Sequence, residues 1–121
     1  MIEHDWQTIP GQIPSKANTY KIIYKCGHAS LAKIDAVNAH ETNFYLHVGA
    51  YRGMNISGLF ELHARVYFTT LSHDLDNSLK CLLDCLQYTK TIRNDNRCVK
   101  VVAEKFIDKD NPRVEFRLIE I

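Results

Sequence analysis

No run of 18 apolar residues occurs anywhere in the 121-residue chain, so nothing in it reads as a membrane-spanning helix. The opening "MIEHDWQTIP" lacks the long apolar core of a signal peptide, which makes a soluble, cytoplasmic protein with no membrane partner the expectation. Glycine and proline are scarce, at five and three, and there is no repeat or low-complexity tract. A collagen-like or disordered chain is thereby excluded. Cysteine is present four times, at Cys26, Cys81, Cys85 and Cys98, in a chain without an export signal, which reads as reduced thiols and not as a disulfide framework. Cys81 and Cys85 share a helix face, but no Cys-x-x-Cys or His-x-x-x-His partner accompanies them in the sequence.

A strong excess of basic charge is also missing. Net charge is +1, from 15 Lys and Arg against 14 Asp and Glu, and neither half of the chain is a basic tail. Any surface for a polyanion must therefore be local. What the chain does have is 45% hydrophobic residues and a length that suits one domain over residues 1–121 with one core.

The pattern along the chain reads strand, arm, helix, strand, helix, strand, strand. "EHDWQTIPGQIP" is a short strand broken by Pro10, Gly11 and Pro14. "KIIYKCGHASLAKI" suits a small hairpin or an irregular arm, and its interleaved Tyr20, Tyr24, Lys21 and Lys25 suit either base stacking or packing on a partner. Val37, Phe44, Val48 and Tyr51 recur at helical spacing and predict a helix from Ile34 to about Tyr51. "LFELHARVYFTT" alternates strictly, with Phe60, Leu62, Ala64, Val66 and Phe68 on one face. "DLDNSLKCLLDCLQYTK" switches to a three-to-four spacing through Leu75, Leu79, Leu82, Leu83 and Leu86, a second amphipathic helix. "RCVKVVAEKFI" and "RVEFRLIEI", separated by "DKDNP", predict a terminal hairpin, and Trp6 is most simply a core residue. An α+β fold follows, with a small mixed, mainly antiparallel sheet packed against two main helices.

The seam between the alternating strand and the second helix carries two acids, Asp74 and Asp76. From Asp76, Lys80 and Asp84 follow at intervals of four along one helix face, opposite the leucines. A structural account is available for each: Asp74 as a helix cap, and the acid, base, acid row as a solvated ladder of ion pairs worth about 0.3–0.5 kcal/mol each. The chemical account adds Asp95, in the turn "TIRNDNRCVK". Carboxylates from a strand-to-helix seam and a nearby turn can converge on Mg²⁺, which takes a few carboxylate oxygens and keeps waters for phosphate. Lys80 would then neutralise charge on a phosphoryl group. Lys90, Arg93, Arg97 and Lys100 surround Asp95 as a local basic cluster, equally readable as a solvated turn and strand edge. His73 could protonate a leaving oxygen or serve simply as a polar residue at the helix entry. An EF-hand beginning at Asp74 is excluded, because Leu79 and Cys85 stand where Gly and Glu are required.

At "DLDN", Lys80, Asp84 and Asp95 the sequence resembles the RusA-type Holliday junction resolvases, small dimeric Mg²⁺-dependent endonucleases of bacteria and their prophages. "IPGQIPSKANTYKI" is similar to the family's opening strand and loop. The resemblance implies a bacterial or phage-encoded homodimer that cuts four-way and other branched DNA in recombination and repair, with Mg²⁺ or Mn²⁺ as cofactor. It assigns Asp74, Asp76 and Asp95 to the metal and Lys80 to cleavage; beside that site, the local basic cluster of Lys90, Arg93, Arg97 and Lys100, together with Lys16 of the early arm, supplies the expected DNA contacts. Two departures stand out: "TTLSH" occupies the place of an arginine run before "DLDN", and Asn94 replaces the usual acid beside Asp95. They leave open a non-catalytic DNA-binding or assembly protein; a small metal-dependent nucleotide phosphohydrolase is a third reading.

Overall fold

The computed structural model describes residues 1–15 and 35–121, together with the backbone of two strands at 20–25 and 28–33. In chain order the elements are β1 (Ile2–Glu3), β2 (Gln7–Pro10), β3 (Tyr20–Lys25), β4 (His28–Lys33), α1 (Asp35–His47), β5 (Phe60–Phe68), α2 (Leu75–Tyr88), β6 (Cys98–Ile107) and β7 (Arg113–Glu120). Short 3₁₀ turns at Gly49–Tyr51 and Asp95–Arg97 precede β5 and β6. The expected arm is an antiparallel β3–β4 hairpin forming its own two-stranded sheet.

The main sheet is mixed and has five strands. β7 lies between β5 on one side and β1 and β2 on the other, all antiparallel to it, while β6 runs parallel to β5 and forms an edge. This corrects the terminal hairpin predicted from "DKDNP": β6 and β7 are consecutive in sequence but flank β5 from opposite sides. The physical reason is the strand that sits between them. β5 buries every second residue from Phe60 to Phe68, so it is best served by a ladder on both edges. The β5–α2–β6 crossover supplies the parallel neighbour that a short turn cannot.

One face of the sheet carries the core. Phe60, Leu62, Val66 and Phe68 join Val114, Phe116 and Leu118 against Phe44 and Val48 of the α1 region and Leu82, Cys85 and Leu86 of α2. Four fully buried phenylalanines, each contributing about 1.5–3 kcal/mol through burial, anchor the helices on this face. Val37, Phe44, Val48 and Tyr51 are all buried, but the helix expected to run to about Tyr51 ends at His47, and Tyr51 is carried by the 3₁₀ turn that follows. Trp6, expected in the core, instead lies 38% exposed on the opposite face, where the Arg65 guanidinium sits 3.8 Å from its ring centroid and that of Arg117 5.2 Å. No helix among the described residues is long and apolar enough to cross a membrane.

The edge strand differs from the rest. Val99, Val101, Val102, Phe106 and Ile107 of β6 are all exposed by a third or more of their surface. Among the described residues, the strand therefore leaves one ladder edge unpaired and apolar side chains on both faces open.

Candidate active site

Strand β5 ends at Phe68, and the turn that follows is fastened from two directions before α2 begins. Gln12 Oε1 accepts hydrogen bonds from the Thr69 backbone N–H (2.8 Å) and hydroxyl (2.9 Å). Lys105 Nζ of β6 donates to the backbone carbonyls of Leu71 and His73. The His73 ring stacks on Phe68 with centroids 5.0 Å apart. Its two nitrogens contact Ser15 Oγ at 3.1 Å and Gln12 Nε2 at 3.3 Å. Both nitrogens are thus engaged in holding the opening segment to the turn, which makes His73 a fastening of this seam.

On this base stand Asp74 and Asp76, both exposed. Asp74 occupies the N-cap position with extended backbone, yet its carboxylate caps none of the free N–H groups of the helix. Among the described residues, the carboxylate accepts a hydrogen bond from Asn77 Nδ2 at 3.2 Å. Asp76 lies in the first turn of α2, where the helix dipole favours negative charge. The ion-pair ladder that would have made these residues structural is not formed at its first rung, since among the described residues no ion pair joins Asp76 to Lys80. Two exposed carboxylates, with a cation one turn on, are thus engaged neither in helix capping nor in an ion pair among the described residues, and their hard oxygens are of the kind Mg²⁺ takes.

Asp95 lies at the other end of α2. Its backbone N–H donates to Gln87 Oε1 at 2.9 Å, and Gln87 is eleven residues beyond Asp76, ~16 Å along the helix axis. The sheet separates the two regions in the same sense. Cys98, just after Asp95, pairs with Phe60 at the start of β5, whereas Asp74 follows Phe68 at its end, and the nine-residue strand spans ~26 Å. The carboxylates of Asp74, Asp76 and Asp95 accordingly form no close cluster within one chain. A parallel β5–α2–β6 crossover dictates this, because the helix must return the chain to the sheet edge from which β5 started.

The basic residues gather around Asp95. Arg93 and Arg97, with Ser57, Asn94 and Asn96, line an open polar cavity of about 330 Å³. Asn94, which stands where a second acid was expected, caps the Asp95–Arg97 turn by accepting from Asn96 N–H at 3.0 Å. Lys90 and Lys100 are exposed on either side. Lys90 has φ +59° and closes α2 in a left-handed cap: Lys90 N–H bonds the Gln87 carbonyl and Thr91 N–H that of Leu86, both at 3.0 Å. Lys16, the remaining expected DNA contact, lies outside the described residues.

Sequence reasoning placed these residues on the right elements but missed the fastenings. Gln12 and Lys105 carried no motif, and only the register of β6 beside β5 brings Lys105 to the turn. None of the curated proteins matches the chain. The family model described as "Endodeoxyribonuclease RusA" matches residues 12–119, which include every element from α1 through β6 and both ends of α2. The chain belongs to the RusA endodeoxyribonuclease family, whose membership implies an endonuclease that resolves Holliday junctions.

Proposed function

We propose that the protein is a metal-dependent, structure-selective endonuclease whose active sites are completed across a two-fold dimer. The observation that carries this reading is the placement of Asp74 and Asp76, exposed, firmly based and used neither for capping nor for an ion pair with Lys80, at the opposite end of α2 from Asp95. The unpaired β6 edge supports the assembly. An antiparallel β6 pair reverses strand direction, so it would carry the partner's Asp95 to the end of the sheet where Asp74 stands.

Charge selects the register. With Val102 on the two-fold axis, Lys100 faces the partner's Glu104 on both sides of the axis, while a slip of one residue sets Lys100 against Lys105 in one direction and, in the other, against Ala103, which offers it no opposite charge. Like charges directly opposite disfavour the first of these slips. Such an interface would also cover Val99, Val101, Val102, Phe106 and Ile107, which are otherwise exposed.

A hard divalent ion, Mg²⁺ or Mn²⁺, held by Asp74, Asp76 and the partner's Asp95 would supply an activated water and stabilise the leaving oxygen of a phosphodiester. Lys80 projects from the same end of α2 and neutralises charge on the scissile phosphate. Arg93, Arg97 and Lys100 of the partner flank the site and hold the adjoining phosphates of a branched DNA. Two such sites related by a two-fold axis match a junction that must be cut symmetrically on two strands.

Mixing two inactive variants tests the arrangement. Asp76→Asn and Asp95→Asn are each expected to lose more than about 100-fold in Mg²⁺-dependent junction cleavage, as removal of a metal ligand should. Combined and allowed to exchange subunits, they form mixed dimers in which one site regains all three aspartates. Nicking should return to roughly a quarter of the wild-type level, because half the dimers are mixed and each holds one intact site of two. A site built within single chains predicts no recovery at all, and that result would refute the shared arrangement.

A further inference from the structure

The buried contact between α1 and α2 holds three metal-ligating side chains that the nuclease reading does not use. His40 of α1 is 5% exposed, and Cys81 and Cys85 of α2 are 5% and fully buried. One ring nitrogen of His40 and the two Sγ atoms all lie within 4.8 Å of one another. His40 Nε2 is buried with no hydrogen-bond partner among the described residues. An unpaired polar atom inside a core is costly to maintain, and this one accompanies two thiols.

From these positions we infer that His40, Cys81 and Cys85 form a zinc site clamping α1 to α2. The three groups are of the types that structural and catalytic zinc sites use, and the sulfurs select a borderline-soft ion over Mg²⁺. With Zn–S near 2.3 Å, ligand atoms of a tetrahedral site stand ~3.8 Å apart, so the groups need close by only about 1 Å. Burial holds the His40 imidazole down at about 4, which keeps it neutral and its lone pair available for coordination. The Cys85 thiol is pushed up, first by its hydrogen bond with Cys81 and then by burial, with the nearby Glu41 and Asp84 charges acting in the same direction. Without metal the Cys85 thiol is therefore protonated, and metal binding would release its proton as the sulfur becomes a thiolate. Three protein ligands leave the fourth tetrahedral position to water.

The i, i+4 spacing of Cys81 and Cys85 places both sulfurs on one face of α2, and Lys80 and Asp84 precede them on the outer face. A metal at this point would fix the rotation of the helix that presents Asp76 and Lys80. The site stands independently of the proposed endonuclease site, since it shares no ligand with it.

Cobalt reports on the site directly. The protein carrying Cys26→Ser and Cys98→Ser keeps Cys81 and Cys85 as its only thiols; with Co²⁺ it should show the thiolate-to-cobalt charge-transfer band and the visible bands of a tetrahedral ion, and Zn²⁺ should displace both. After dialysis, elemental analysis should find one zinc per chain. His40→Gln, Cys81→Ser and Cys85→Ser should each weaken zinc retention at least tenfold, whereas Asp74→Asn with Asp76→Asn should leave it unchanged. Absence of the charge-transfer band in the two-thiol protein would overturn the site. That measurement needs no ligand variant to fold, so a collapse of Cys85→Ser, seen by circular dichroism, leaves the test intact. Zinc retention undiminished in folded Cys81→Ser and Cys85→Ser would overturn it equally.

Discussion

The two ends of α2 are built by the same device and hold opposite charge. At the start of the helix Gln12 fastens the entering turn through Thr69, and at its end Gln87 fastens the leaving turn through Asp95. The first end presents Asp74 and Asp76 above a part-buried base of Phe68 and His73. The second presents Lys90, Arg93, Arg97 and Lys100 around one acid, with an open polar cavity among them. A helix of 14 residues keeps these halves ~20 Å apart, so one copy separates the proposed metal ligands from most of the cations proposed to hold the substrate. The separation makes sense if a second copy, reversed along β6, places the basic end of one molecule beside the acidic end of the other.

The sharpest way to break this arrangement is to abolish the pairing while leaving every charged residue in place. Val102→Asp sets two carboxylates face to face on the proposed axis, and since Val102 is 41% exposed the folded chain tolerates the change. Sedimentation should report a monomer, and junction cleavage should fall by more than about 100-fold because neither acidic end would meet an Asp95. A monomer with full cleavage would show that each chain suffices.

The next effect concerns only the basic end. Arg93→Ala and Arg97→Ala together should weaken junction binding, and the dependence of binding on salt should become shallower by about one unit of slope for each phosphate contact removed. Cleavage at saturating protein should change little, because the acidic end is untouched. Titrations at several salt concentrations separate the two effects, and an unchanged slope would remove the arginines from the DNA contact.

How far the chain's plan is legible in its residues follows from the range over which each feature is decided. The alternation of β5 and the leucine stripe of α2 are local consequences of one buried face, and both elements form where their patterns predict. β6 defied the same logic because it is an edge: apolar residues occur on both faces without a core to fill, and "DKDNP" imitates a hairpin turn. Its true neighbour, β5, was chosen by packing. The same choice decided the fate of Asp95. A spacing of nineteen residues from Asp76 is compatible with either end of the helix, and only the parallel run of β6 beside β5 puts the turn at the far end. His40 was illegible for the same reason, since nothing near Cys81 in sequence announces a partner 41 residues earlier on another helix.

A smaller contrast compares the two glutamines. Gln12→Ala leaves a part-buried Thr69 N–H without its acceptor and should lower stability by about 1–3 kcal/mol in urea unfolding. Gln87→Ala acts on an exposed N–H that water can serve, so its cost should be nearer 0.5–1.5 kcal/mol. The order of effects on cleavage should be inverted, because Gln87 positions a proposed metal ligand directly while Gln12 acts through the turn before Asp74. Equal losses of cleavage per unit of stability would deny Asp95 any special placement.

The smallest expected change lies at Lys90. Its left-handed backbone, φ +59°, is a conformation in which glycine carries little penalty and other residues are strained by about 1 kcal/mol. The cap itself requires that conformation, since it delivers the Lys90 and Thr91 N–H groups to the last free carbonyls of α2. Lys90→Gly should therefore raise stability by up to about 1 kcal/mol while removing one cation from the basic end. If Lys90 touches a phosphate, the same substitution should weaken junction binding and reduce the salt slope by about one unit. A more stable protein with weaker binding would mean that the chain tolerates strain at the helix end to keep a positive charge there. A more stable protein with unchanged binding would confine the DNA surface to Arg93, Arg97 and Lys100, and leave Lys90 as an unoptimised cap.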